Sequence, residues 1–132
     1  MIDFEVKIFN RVYNAISPMV PEGNFVSKQI VKQTKFPAAS LIEMDNSTVR
    51  SRQSSTPREN FALITYQLDV FAMKKSECRE VFAAADDAMI AMNFSRMSGR
   101  YIDNPGNPDV FRYVARYEAE IDPEGNLYRR KG

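Results

Sequence analysis

The sequence contains no histidine, and its only cysteine is Cys78. The first absence removes Ser-His-Asp and Cys-His catalysis together with every histidine-ligated metal site. The second removes an internal disulfide and a cysteine-rich zinc site. Net charge is also scarce: 18 Lys plus Arg against 17 Asp plus Glu leave +1. No global field therefore draws the chain toward nucleic acid or an anionic membrane. Glycine occurs five times, at positions 23, 99, 106, 125 and 132, in neither a G-x-G-x-x-G nor a G-K-S pattern, so no phosphate-cradling loop is written here. No run of about 20 apolar residues is present. The opening stretch MIDFEVKIFNRVYNAI lacks a basic region followed by an apolar one, so no targeting signal and no membrane contact are expected.

What is present suits a single globular domain over residues 1–132, with 44% hydrophobic and 27% charged residues. Residues 3 to 16 predict a helix, capped by Asp3 and ended by Ser17-Pro18. Ile2, Val6, Phe9, Val12, Tyr13 and Ile16 share one stripe, while Phe4 and Ile8 fall off it and stack at i, i+4. SPMVPEGN at 17–24 is a loop, and FVSKQIVKQT after it reads equally as a short strand or a helical turn. A strand is expected over 38–45. Residues 46–60, NSTVRSRQSSTPREN, carry one apolar side chain, Val49, and three arginines, Arg50, Arg52 and Arg58. They predict a long polar loop, a feature that is usually functional in a compact domain.

FALITYQLDVFAM at 61–73 is the clearest strand, with Ile64, Tyr66, Leu68, Val70 and Ala72 on one face. Phe61, Leu63 and Phe71 make its other face partly apolar. A second helix begins near Ser76, its expected cap, and carries Cys78, Val81, Phe82, Ala85, Ala88, Met89 and Met92 as its apolar stripe. Ala83 and Ile90 lie on the opposite side. A weak strand with a bulge at Gly99 covers 94–102, and a strongly alternating strand covers 110–121. DPEGN at 122–126 is a turn, after which Leu127 to Arg130 can pair back briefly. The order is helix, strands, helix, strands. It predicts an α+β fold with a mainly antiparallel sheet of four to five strands packed by two helices.

No activation scheme for catalysis emerges. Asp86 and Asp87 diverge by about 100° on a helix and cannot share a metal or a proton. Asp69 is expected to pair with an arginine of the last strand, which is cross-strand pairing and not chemistry. Arginine and aromatic residues alternate on that strand, but on opposite faces, with Phe111, Tyr113 and Tyr117 toward the core. A base-stacking surface needs them on one face. The chain is therefore expected to be neither an enzyme nor a nucleic-acid module, and no cofactor or metal is expected.

Three segments carry a resemblance. They are FPAASLIEMDN, ENFALITYQLDVFAMKKSECREVFAAADDAMIAMNFSR and FRYVARYEAEID. Phe36-Pro37, the run Glu43 to Asn46, Glu59-Asn60, the block Lys75-Ser76-Glu77-Cys78 and the strand opening at Phe111 are their most specific parts. In this order they resemble the small tail-terminator or tail-completion proteins of bacteriophages with long non-contractile tails, in the form found in phages and prophages of Gram-positive bacteria. The resemblance implies an α+β subunit of a hexameric ring. That ring ends polymerisation of the tail tube and joins it to the head connector. It implies as partners other copies of the chain, the tail tube protein and the head completion protein, and as location the virion neck, reached from the host cytoplasm. No catalytic residue comes with it.

On this reading Arg50, Arg52 and Arg58 would line the ring lumen or reach a neighbouring ring, with non-specific contact to DNA. Phe4, Ile8 and Ile90 would serve contacts between subunits, since a ring needs two different patches on each copy. Another head–tail joining role, or a non-catalytic binding module of the host cell, are the alternatives.

Overall fold

The computed structural model describes residues 4–28, 35–48, 61–103 and 108–129. The fold is α+β. Helix α1 spans Glu5–Ile16 and α2 spans Lys75–Ala91. The strands are β1 (Phe25–Val26), β2 (Ala38–Thr48), β3 (Ala62–Ala72), β4 (Ser95–Ile102), β5 (Phe111–Ile121) and β6 (Leu127–Tyr128). They form one sheet in the order β1-β2-β3-β5-β4, with β6 also on β5. Every pairing is antiparallel except that of β1 with β2. Strands β3 and β4 run the same way on either side of β5 and are joined through α2, which makes a split βαβ unit. The short β1 and β6 bring the sheet to six strands, above the four or five expected.

Alternation builds the central strands. Ile64, Tyr66, Leu68 and Val70 of β3, with Ala115, Tyr117, Ala119 and Ile121 of β5, point to the helices and are at most 1% exposed. Phe94 meets Tyr66 edge to face with ring centres 5.6 Å apart. From α2 the core receives Cys78, Val81, Phe82, Ala85 and Met89, the stripe expected from the sequence. Its start differs: Lys74 is the N-cap and Ser76 lies inside the first turn. The other sheet face holds a small cluster of Ala38, Phe71 and Val110, with Phe36 packed on it.

Helix α1 corrects the expectation most. Ile8, Val12 and Ile16 are its buried residues, whereas Val6 is 74% exposed and Tyr13 40%. The buried stripe is rotated by about a quarter turn from the expected one, at 100° per residue. The rings of Phe9 and Tyr13 lie at the flank, stacked on Phe25 of β1 at 4.3 and 6.4 Å. Two apolar stripes compete on this helix, and packing against α2 selects the one through Phe4 and Ile8. Ile8, expected to contact a neighbouring subunit, is 3% exposed and belongs to the core.

Polar groups fix the ends. Asn24 donates through Nδ2 to the carbonyls of Lys35 and Pro37, at 2.9 and 3.1 Å, and its own carbonyl accepts from Ala39 N–H. This ties β1 to β2 beside the cis Phe36–Pro37 bond. Strand β2 continues to Thr48, opposite Ala62, so residues 46–48 are strand and not loop. Among the described residues, no helix is long and apolar enough to cross a membrane.

Candidate functional site

The residues marked for subunit contacts divide. Phe4 and Ile8 meet at one end of the molecule, where the start of α1, the end of α2 and the β5–β6 turn enclose an open cleft of about 280 Å³. Lys7 and Arg11 stand on its rim, and Met92, Ile121 and Leu127 line it with them. Phe4 is half-buried. Its ring lies so close to Gly125 that a Cβ there would stand 2.7 Å from Cε1, and Gly125 has a φ of +89°. Ile90 is half-buried on α2, and its carbonyl accepts a hydrogen bond from Arg129 Nη2 at 3.0 Å. Arg50, Arg52 and Arg58 lie outside the described residues.

The turn beside the cleft is held by one carboxylate. Asp122 Oδ1 accepts from the N–H groups of Glu124 and Asn126, at 3.0 and 2.9 Å. Its Oδ2 accepts from Asn126 Nδ2 and Tyr128 Oη, at 3.1 and 2.9 Å. Burial pushes this carboxyl up, but the four hydrogen bonds outweigh it and hold the group below its ordinary value. The same loop geometry that makes the turn thus holds a fixed anion.

Two further networks are structural. Arg112 donates to Asp69 Oδ2 through Nε and Nη2, at 3.0 and 2.6 Å, and its guanidinium lies over the Phe71 ring at 5.5 Å. Gln67 Nε2 donates to the other oxygen of Asp69, and Arg116 Nε donates to Gln67 Oε1. The pairing of Asp69 with an arginine of the last strand is as expected. On the helix side Tyr117 Oη donates to Asp86 Oδ1 at 2.6 Å, and Asp86 Oδ2 pairs with Arg96 at 3.3 Å. Burial, then the bond to Asp86, pushes the Tyr117 phenol far up. Cys78 is buried with its thiol 3.5 Å from the Val70 carbonyl, and burial raises its pKa to about 11. A thiol so protonated is a poor nucleophile at neutral pH.

The sequence did not reveal the two outer edges of the sheet. Strand β1 pairs with β2 only at Ala39 and Ser40. Beyond that point no described strand pairs with the outer edge of β2, and none pairs with the outer edge of β4. Each edge strand contains one register shift, at Met44 in β2 and at Met97 in β4. These two methionines are 47% and 56% exposed. The bulge is at Met97 and not at Gly99. Gly99 instead lies under the Tyr113 ring, where a Cβ would come 2.7 Å from the hydroxyl. The available signal was an apolar residue between polar neighbours, Glu43-Met44-Asp45 and Arg96-Met97-Ser98.

Among the described residues, no group of three or more Cys, Asp or Glu side chains is placed to hold a metal ion. No protein-family model matches the chain, and no curated protein matches it.

Proposed function

We propose that this chain is a structural assembly protein of a phage neck. It acts as a tail terminator that forms a ring, six copies by resemblance, at the end of the tail tube. There it stops tube growth and presents a surface to the head connector, without turnover, cofactor or metal. Its partners are other copies of itself, the tube protein and the head completion protein, and it resides in the virion after assembly in the host cytoplasm.

The observation that supports this reading is where the family-like strings fall. Residues 36–46, 59–96 and 111–122 carry them, and their described parts supply β2, β3, α2 and β5. Those elements are three adjacent strands of the sheet and the helix packed on them. The resemblance is therefore concentrated on one packed unit, as a shared fold requires. By the same reading, Arg50, Arg52 and Arg58 of the 49–60 connection face the ring lumen or reach a neighbouring ring.

Light scattering behind size exclusion, across protein concentration, tests the reading. A closed species near six times the 15.1 kDa chain mass is expected. A host binding module predicts instead a monomer or dimer that binds one specific ligand, and a gene neighbourhood without head-connector and tail-tube genes.

A further inference from the structure

We propose that the two outer edges of the sheet are the two halves of one contact between copies of this chain, the β4 edge of one copy meeting the β2 edge of the next. This inference rests on the ring reading and names the surfaces that close it.

A closed ring needs a head-to-tail contact made from two different patches on each subunit. The sheet offers such a pair at opposite sides. Its β2 edge carries Glu43, Met44 and Asp45, with Asp45 exposed. Its β4 edge carries Met97 and Arg100, both exposed, beside Arg96, whose guanidinium is paired with Asp86 of the same subunit. One edge is acidic and the other basic, and each presents a large exposed methionine at its bulge. Like edges repel, while unlike edges attract. The charge pattern therefore selects a β4-to-β2 contact over the two symmetric alternatives.

The strands also have the required direction. Through β3 and β5 the two edge strands run antiparallel within a subunit. If neighbouring copies keep the same strand direction around a ring, β4 and the next copy's β2 are antiparallel, as are most pairs in this sheet. The bulges interrupt each edge ladder and so discourage capture of an arbitrary strand. They leave the contact to side chains. Methionine, unbranched and polarizable, suits a surface that must adapt to a neighbour.

A crosslinking experiment on the full chain tests this. Cys78 is buried, so cysteines introduced by Met44→Cys and Met97→Cys are the reactive ones. At a chain concentration of about 1 mM, where even weak contacts are populated, mild oxidation of the double variant is expected to give a ladder ending in one closed band. Each single variant is expected to stay uncrosslinked, because position 44 meets 97 and not another 44. Crosslinked dimers of either single variant, or no ladder from the double variant, overturn the proposal.

Charge swaps give an independent readout of wild-type association. Asp45→Lys or Arg100→Glu alone is expected to weaken it by about fivefold, the range of an exposed ion pair. The combined variant is expected to recover it. Loss without recovery overturns the proposal, and circular dichroism of each variant establishes that it folds. If the chain stops tube growth but gives no 44–97 crosslink, the neck role stands and the edge contact falls. If the crosslink forms but tube growth is unaffected, the contact stands and the neck role falls.

Discussion

Replacing Gly125 by alanine separates backbone strain from side-chain crowding, because Gly23 provides a control within the same chain. Both glycines have positive φ, +89° and +83°. An alanine at either site meets the left-handed penalty of roughly 1–2 kcal/mol. A Cβ at 23 has nothing within 4 Å, whereas at 125 it stands 2.7 Å from Phe4 Cε1 and 2.9 Å from Cζ. The Phe4 ring must move, and it is half-buried against the core, so the crowding adds about 1 kcal/mol, the low end of overpacking costs. Gly23→Ala is therefore expected to cost about 1–2 kcal/mol and Gly125→Ala about 2–3 kcal/mol. With a urea slope of roughly 2 kcal/mol per molar, the second variant should unfold about 1 M earlier than wild type. Equilibrium urea unfolding followed by circular dichroism measures both. In a Phe4→Ala background the extra cost at 125 should vanish, leaving only the backbone part. Equal destabilisation at 23 and 125, or a Gly125 penalty that persists without the Phe4 ring, refutes the packing of α1 against the β5–β6 turn.

Three further outcomes follow from the polar groups. Tyr117→Phe removes a 2.6 Å hydrogen bond to a carboxylate; a loss of about 1.5–2 kcal/mol is expected in urea unfolding, smaller once Asp86 is also replaced by alanine. Asp122 has a folded pKa below its ordinary 3.8. Its contribution is present above that value and is lost as the pH falls through the folded pKa, so Asp122→Asn should flatten this part of the acid limb of a stability–pH profile. Cys78, with a thiol pKa raised to about 11, should react with a disulfide reagent at pH 8 only as fast as the domain opens. Burst labelling of the native chain would place the thiol outside the core.

Much of the fold is legible because its strands alternate cleanly. Ile64 to Ala72 and Ala115 to Ile121 show a two-residue period over long runs, and a single register buries both sets. The Asp69–Arg112 pair is legible for the same reason, since both side chains fall on the polar face. Helix α1 is not legible in its orientation. Its apolar residues extend around so wide an arc that two stripes are possible, and only α2, distant in sequence, decides for Ile8 over Val6. The bulges at Met44 and Met97 are hidden because a one-residue insertion changes pairing and leaves local hydropathy almost unchanged. The edges they interrupt become visible only when strand order is known, since sequence neighbours β4 and β5 pair while β2 ends up on the far side. The cleft rimmed by Lys7 and Arg11 is hidden likewise, being assembled from both helices and the last turn.

The most direct test of the proposed neck role is the length of tail tubes grown from a siphophage tube protein, taken from the same genome if one is encoded there, measured by electron microscopy with and without the chain added. The account predicts that tubes grown with it stop lengthening and carry a ring of extra density at one end. Tubes of unchanged length distribution, with bare ends, would contradict it.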